Sequence, residues 1–360
     1  MKKTPSSVLH PNITAQARRC RLLAWALIII ALLLMVVGLG VGSTGVSTAW
    51  QALTDPLSSQ IIWDIRAPRT AGAWVGGVLL GLAGALAQGL FRNPLADPFL
   101  LGSASGSSFG VALALVAMSA AGAGGAEGAE GAEAAILSSP FAAAWSVRLG
   151  LTGAAFIGGV LAVVLTLVLA RGVQHTYRLL LAGVVVGMMF GAMTAMVNLI
   201  APETLQAMQG FMLGSTGFVG WSSLALMAGI GMVCMAVAIG LASVLDGLTL
   251  GEATAASLGL RLVPMRAVLV AVIALATATA VAQTGLISFV GLVAPHLVRA
   301  IVKTTHAWLL PLAGLMGGLL LLVADVLARS LLAPQEIPVG ILTAVLGGGY
   351  LLWLMHRRGV

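Results

Sequence analysis

Residues 63–90 read WDIRAPRTAGAWVGGVLLGLAGALAQGL. Arg66 and Arg69 stand just before an apolar run that meets no further charge until Arg92. A helix rises about 1.5 Å per residue and a bilayer core is about 30 Å thick, so a run of this length can cross it. Within Gly76–Gly89, small residues recur about every four positions, a spacing that lets helices in lipid approach closely. The stretch therefore predicts a closely packed membrane helix with a cationic entrance.

The rest of the 360-residue chain follows the same pattern. Hydrophobic residues make up 59% and charged residues 8%, and the mean hydropathy is +1.07. A soluble domain carries roughly a quarter charged residues. Ten apolar segments are long enough to propose as spans: 22–42, 71–90, 99–118, 147–170, 179–200, 222–243, 267–284, 286–300, 308–328 and 339–355. The expected fold is an all-α membrane protein of ten transmembrane helices, with a basic cytoplasmic tail at 1–21 and one membrane domain at 22–358. The net charge of +7 is spread thinly beside the apolar segments, which argues against nucleic acid and for membrane orientation.

With both termini in the cytoplasm, fourteen of the 18 lysines and arginines fall inside. This satisfies the positive-inside rule. Only Arg66, Arg69, Arg148 and Arg329 fall outside. Three of these lie at the ends of the second and ninth spans, which suggests a cationic docking rim beside the simpler role of interfacial anchors. Arginine suits such a rim because its planar fork can bind a carboxylate with two hydrogen bonds. Asp64 and Asp325 are close enough in sequence to hold these arginines in place.

Two connections are long. Residues 119–146 form an outer loop containing the low-complexity AGAGGAEGAEGAEAA, an acidic linker. Residues 243–266, SVLDGLTLGEATAASLGLRLVPMR, lie inside. Ala253–Leu260 can form a short amphipathic helix there, preceded by Gly251 and Glu252 and ended at Gly259, suited to docking a soluble partner.

Catalytic sets are absent from the sequence. There is no G-x-x-x-x-G-K-[ST] phosphate loop, the five histidines have no metal-ligand spacing, and Cys20 and Cys234 read as structural. Ionisable residues are almost absent from mid-span, with Asp325 near the outer end of its segment. Coupling-ion transporters usually carry such groups. A stand-alone secondary transporter is the alternative of a different class, and it leaves 243–266 unexplained. A membrane enzyme lacks any nucleophile–base pair.

The motifs resemble one family closely. IRAPRTAGAWVGGVLLGLAGALAQGLFRNPLADPFLLGSASGSSFG (65–110), GEATAASLGL (251–260), GLISFVGLVAPHLVR (285–299) and LVADVLARSLLAPQEIPVGILTAVLGG (322–348) are similar, in order, to the signatures of FecCD permeases. These are membrane subunits of type II ABC importers for iron–siderophore complexes, haem and cobalamin. The acidic linker and GGGYLLWL at 347–354 depart from the family pattern. The resemblance implies a homodimer with the path on its two-fold axis, two cytoplasmic ATPase subunits that bind ATP and Mg, and a periplasmic binding protein. It places the chain in the bacterial inner membrane, with no cofactor of its own.

The resemblance also assigns residues. Arg66, Arg69 and Arg329 would meet glutamates of the binding protein. Gly251, Glu252, Leu258 and Gly259 would form the ATPase-coupling loop. Asn93 and Leu95, with His175 and Thr176, would narrow the inner end of the path. QGLFRNPLADP resembles the haem-importing branch, whereas cobalamin permeases tend to carry an acidic residue where Arg92 stands. Haem is thus the leading expectation for the substrate, with ferric siderophores and cobalamin as alternatives.

Overall fold

The computed structural model describes residues 10–42, 45–46, 56–122, 145–173 and 176–358. It is built almost wholly of helices. Eight are long and apolar enough to cross a membrane. In the labels used here these are α1 (His10–Gly40), α2 (Ala67–Phe91), α3 (Ser103–Gly122), α4 (Trp145–Leu169), α5 (Thr176–Ile200), α7 (Trp221–Gly240), α10 (Leu262–Thr284) and α12 (His306–Ser330). Two shorter apolar helices, α11 (Val290–Ile301) and α13 (Val339–Arg358), fall on the eighth and tenth expected segments. Small helices connect the spans, α6 (Leu205–Leu213), α8 (Ala242–Thr249) and α9 (Glu252–Ser257), and a further short helix, Pro56–Ile61, runs through a π-helical turn at Ile62–Arg66 into α2. The one sheet among the described residues is a two-residue antiparallel pair, β1 (Val41–Gly42) with β2 (Gly45–Val46).

The structure alters two boundaries. α1 begins at His10, so most of the expected basic tail continues the first span as helix. Arginines favour helix about as well as leucine does, so the change from charge to apolar sequence does not end it. Residues 243–266 are not a loop with one helix. α8 takes the first part, because Val244, Leu245 and Leu248 bury one face. The low-complexity segment 123–144 lies outside the described residues.

α2 is the central helix, buried along nearly its whole length and packed against α12, α10, α11 and α7. Its glycines allow this. A methyl group at Gly77 would overlap the Gly317 carbonyl of α12, one at Gly81 the Ala313 carbonyl, and one at Gly84 the Gly291 carbonyl of α11. Without a hydrophobic drive between helices in lipid, such close backbone contact supplies the packing. Gly84→Val should therefore cost about 1–3 kcal/mol through overpacking. A lower midpoint in thermal unfolding of the purified chain would show it, and an unchanged midpoint would mean the helices can separate freely.

Candidate functional site

At the end of the molecule where α1 finishes and α2 begins, the three expected docking arginines lie below the surface. Relative exposures are 7% for Arg66, 8% for Arg69 and 1% for Arg329. Asp325, on α12, is fully buried and organises the group. Its Oδ1 accepts from Arg69 Nε at 3.1 Å and from Thr216 Oγ1 at 2.5 Å, and its Oδ2 pairs with Arg329 Nη2 at 2.5 Å. Glu336 pairs with Arg69 Nη1 at 2.9 Å. Asp64 is exposed.

The remaining donors of these arginines cap α1. Arg66 donates to the carbonyls of Leu39 and Gly40 at 3.2 and 3.1 Å. Arg329 donates to those of Gly38 and Val41 at 2.9 and 3.0 Å, and to Thr70 Oγ1 at 3.2 Å. The last carbonyls of a helix have no partner within it and carry its negative dipole end, so cations satisfy them. The structure thus holds the three guanidinium groups in a buried network around Asp325, the residue expected to hold them, and the end of α1, while Asp64 takes no part in it among the described residues. A buried carboxylate needs paired cations, and a helix end buried beside it needs donors.

At the opposite end, α2 stops at Arg92, whose left-handed backbone (φ 51°) closes the last turn. Asn93 and Leu95 are exposed, and the Asn93 side chain accepts from Leu95 N–H at 2.9 Å. Pro94 keeps the α2 helix from continuing, and Pro98 opens the next helical turn. Asp97 caps the short 3₁₀ turn Pro98–Leu101 through Phe99 N–H at 2.8 Å. Burial raises its carboxyl to about 6, while that hydrogen bond lowers it. Thr176 opens α5, and His175 lies outside the described residues.

A short helix does lie within the segment expected to couple to an ATPase: α9 spans Glu252–Ser257 where Ala253–Leu260 was expected. Gly251 (φ 102°) and Gly259 (φ 81°) flank it in conformations that side chains rarely adopt. Leu250 and Leu258 are 64% and 65% exposed at either side of α9, a pair of apolar knobs beside a polar helix. Glu252 ties α9 to two other elements. Its Oε1 lies 3.3 Å from Arg92 Nη2 at the end of α2, and 2.7 Å from Arg266 Nη2 in the first turns of α10. Glu252 thereby links α9 to the residue that precedes the loop holding Asn93 and Leu95. Sequence spacing could not show this contact, because 160 residues separate Glu252 from Arg92.

Two further features were not legible beforehand. Gln88, on α2, donates to Leu292 O at 3.0 Å and accepts both Arg299 Nη atoms at 2.8 and 2.6 Å, joining α2 to α11. Phe289 starts α11 with φ 68°, an outlier for a bulky residue. Its side chain lines a cavity of about 390 Å³ together with Asp97, Ser105 and Gly183. The Ser-Phe-Val-Gly sequence there gives little warning of a left-handed residue.

The profile of the FecCD transport family matches residues 27–357. The chain belongs to the FecCD family. This FecCD chain is 36% identical over 344 residues to the hemin transport system permease protein HmuU of Yersinia pestis, covering 94% of this chain and 96% of that protein. It is 35% identical over 312 residues to the vitamin B12 import system permease protein BtuC of Salmonella paratyphi A, covering 86% and 88%. Among solved structures, an inward-facing metal-chelate type ABC transporter superposes with a TM-score of 0.78 at 29% identity, covering 93% of this chain and 98% of that one. As a FecCD permease the chain is a multi-pass transport subunit, and ATP hydrolysis belongs to a separate subunit.

Proposed function

We propose that this FecCD permease is the membrane subunit of an ATP-driven importer for haem, in a bacterial inner membrane. The observation carrying this reading is its similarity to the hemin permease over nearly the full length of both chains. In this reading α11 and α13 complete ten spans, both termini are cytoplasmic, and two copies assemble around a two-fold axis. Two ATPase subunits bind α9 from the cytoplasm, with Leu250 and Leu258 entering their surface. A periplasmic binding protein delivers the substrate at the Arg66–Arg69–Arg329 end. Ferric siderophores and cobalamin are the competing cargoes.

The exposed face of α5 supports a large apolar cargo. Met188, Met189, Met193 and Met196 lie along it, with 40–72% of their surfaces exposed in the single chain. Methionine is flexible and polarizable and accommodates irregular apolar shapes. Two such faces across a dimer axis would give a passage suited to a planar macrocycle rather than a tight site. For docking, three arginines against Asp325 and Glu336 leave excess positive charge beneath the surface. Such charge attracts an acidic protein through its field, without direct contact, and the attraction weakens with salt.

Two experiments test this reading. The complete complex should show ATPase stimulation by haem-loaded binding protein that exceeds stimulation by ferric hydroxamate or cobalamin carriers. Preference for another cargo would replace haem. A cysteine introduced as Asn93→Cys should crosslink to its symmetry mate in at least one nucleotide state. Failure in every state of an assembled dimer would remove Asn93 from the gate.

A further inference from the structure

A second charged site lies at the end of the molecule where α1 enters the membrane. The first turns of α1, the end of α11 and the residues that follow it, Val302 and Lys303, line a cleft of about 690 Å³. Arg19, Arg299 and Lys303 line it together with Gln16 and Val302. None of these three cations has a carboxylate partner among the described residues. Arg299 is half-buried, and its guanidinium meets only the neutral amide of Gln88. The walls are fixed. Gln16 Nε2 donates to Lys303 O at 2.6 Å, and Cys20 Sγ lies 3.4 Å from Thr304 Oγ1. Three gathered cations with no directly paired carboxylate repel one another, which an anion would relieve; Asp246, which lines the adjoining cleft with Arg299 and Lys303, is engaged by His306.

The position of the cleft indicates the kind of anion. Beyond it, α1 presents Leu22, Trp25 and Ile29 with 53–62% of their surfaces exposed, a face for acyl chains. Trp25 and the half-buried Trp308 lie one to two turns past the cations along α1 and α12, where aromatic rings mark the headgroup level. Basic pockets between membrane helices suit phosphate headgroups, and guanidinium and ammonium groups bind phosphate through charge-assisted hydrogen bonds. We propose that this cleft binds the phosphate of an anionic phospholipid, whose chains lie against α1.

The test uses the full-length chain purified in detergent and titrated with phosphatidylglycerol or phosphatidylcholine, with bound lipid counted by native mass spectrometry. Phosphatidylglycerol should be retained and phosphatidylcholine lost. The double substitution Arg19→Gln with Lys303→Gln should reduce retention about tenfold or more. Both side chains are exposed and neither makes a side-chain hydrogen bond, so the fold should survive; an unchanged unfolding midpoint without lipid checks this. Arg299→Lys, which keeps the charge but loses the fork, should give an intermediate loss. Equal retention of both lipids, or retention unaffected by the double substitution, overturns the proposal and leaves the cations to an acidic soluble partner. Displacement of the lipid by millimolar inorganic phosphate alone would assign the cleft to a free anion instead.

Discussion

Asp325→Ala is expected to prevent the chain from accumulating as a folded membrane protein. The carboxylate is fully buried and is the shared partner of Arg69 and Arg329. Removing one side of a buried ion pair costs about 3–5 kcal/mol, because it leaves a charge without compensation. Here two arginines lose a partner together, and Arg329 has almost no exposure through which to recover solvation. The damage should spread, because Arg329 also holds the end of α1 through Gly38 and Val41. Membrane-fraction yield and the elution profile of purified protein measure the effect. Combining Asp325→Ala with Arg329→Met should restore part of the yield, since the second change removes one stranded charge. Full yield and an unchanged unfolding midpoint for Asp325→Ala alone would show that the network is not what holds α1, α2 and α12 together at this end.

Glu252→Gln is expected to separate ATP hydrolysis from transport. The substitution keeps the shape of the side chain and removes the charge that joins α9 to Arg92 and Arg266. α9 should still fold, because Gly251 and Gly259 set its ends. Transport per ATP hydrolysed by the assembled complex should fall about tenfold, within the usual range of coupling free energies. Assembly with the ATPase should remain intact, since Leu250 and Leu258 are unchanged. Uptake equal to that of the unaltered complex would mean that movement of α9 reaches the path by another route.

These two residues show what can be read from a linear chain. All ten apolar segments fall on helices, and eight of these helices are long and apolar enough to cross a bilayer. Glycine spacing also indicated close packing along α2, although not that Gly84 would meet Gly291. The short helix α9 was legible because Gly251 and Gly259 are needed at its ends. α8 was not, since Asp246, Gly247 and Thr249 disguise a face buried by Val244, Leu245 and Leu248. The arginines show the limit most clearly. Counting charges placed them together at one end, and Asp325, four residues before Arg329, was legible as a residue to hold them. Its contact with Arg69, 256 residues away, had no local sequence signal, nor had the burial of the group. The same reason hid the Glu252–Arg92 link and the gathering of Arg19, Arg299 and Lys303.

The central claim is that this chain moves its cargo only with energy supplied by a partner ATPase. Reconstitution into liposomes with the companion ATPase, with haem-loaded binding protein on the outer face and ATP on the inner face, tests it directly. Haem should accumulate in the lumen when ATP is present. Uptake should cease when ATP is replaced by a non-hydrolysable analogue, and proton or sodium gradients should have no effect on it. Haem uptake by this chain alone, driven by an ion gradient without ATP, would contradict the account.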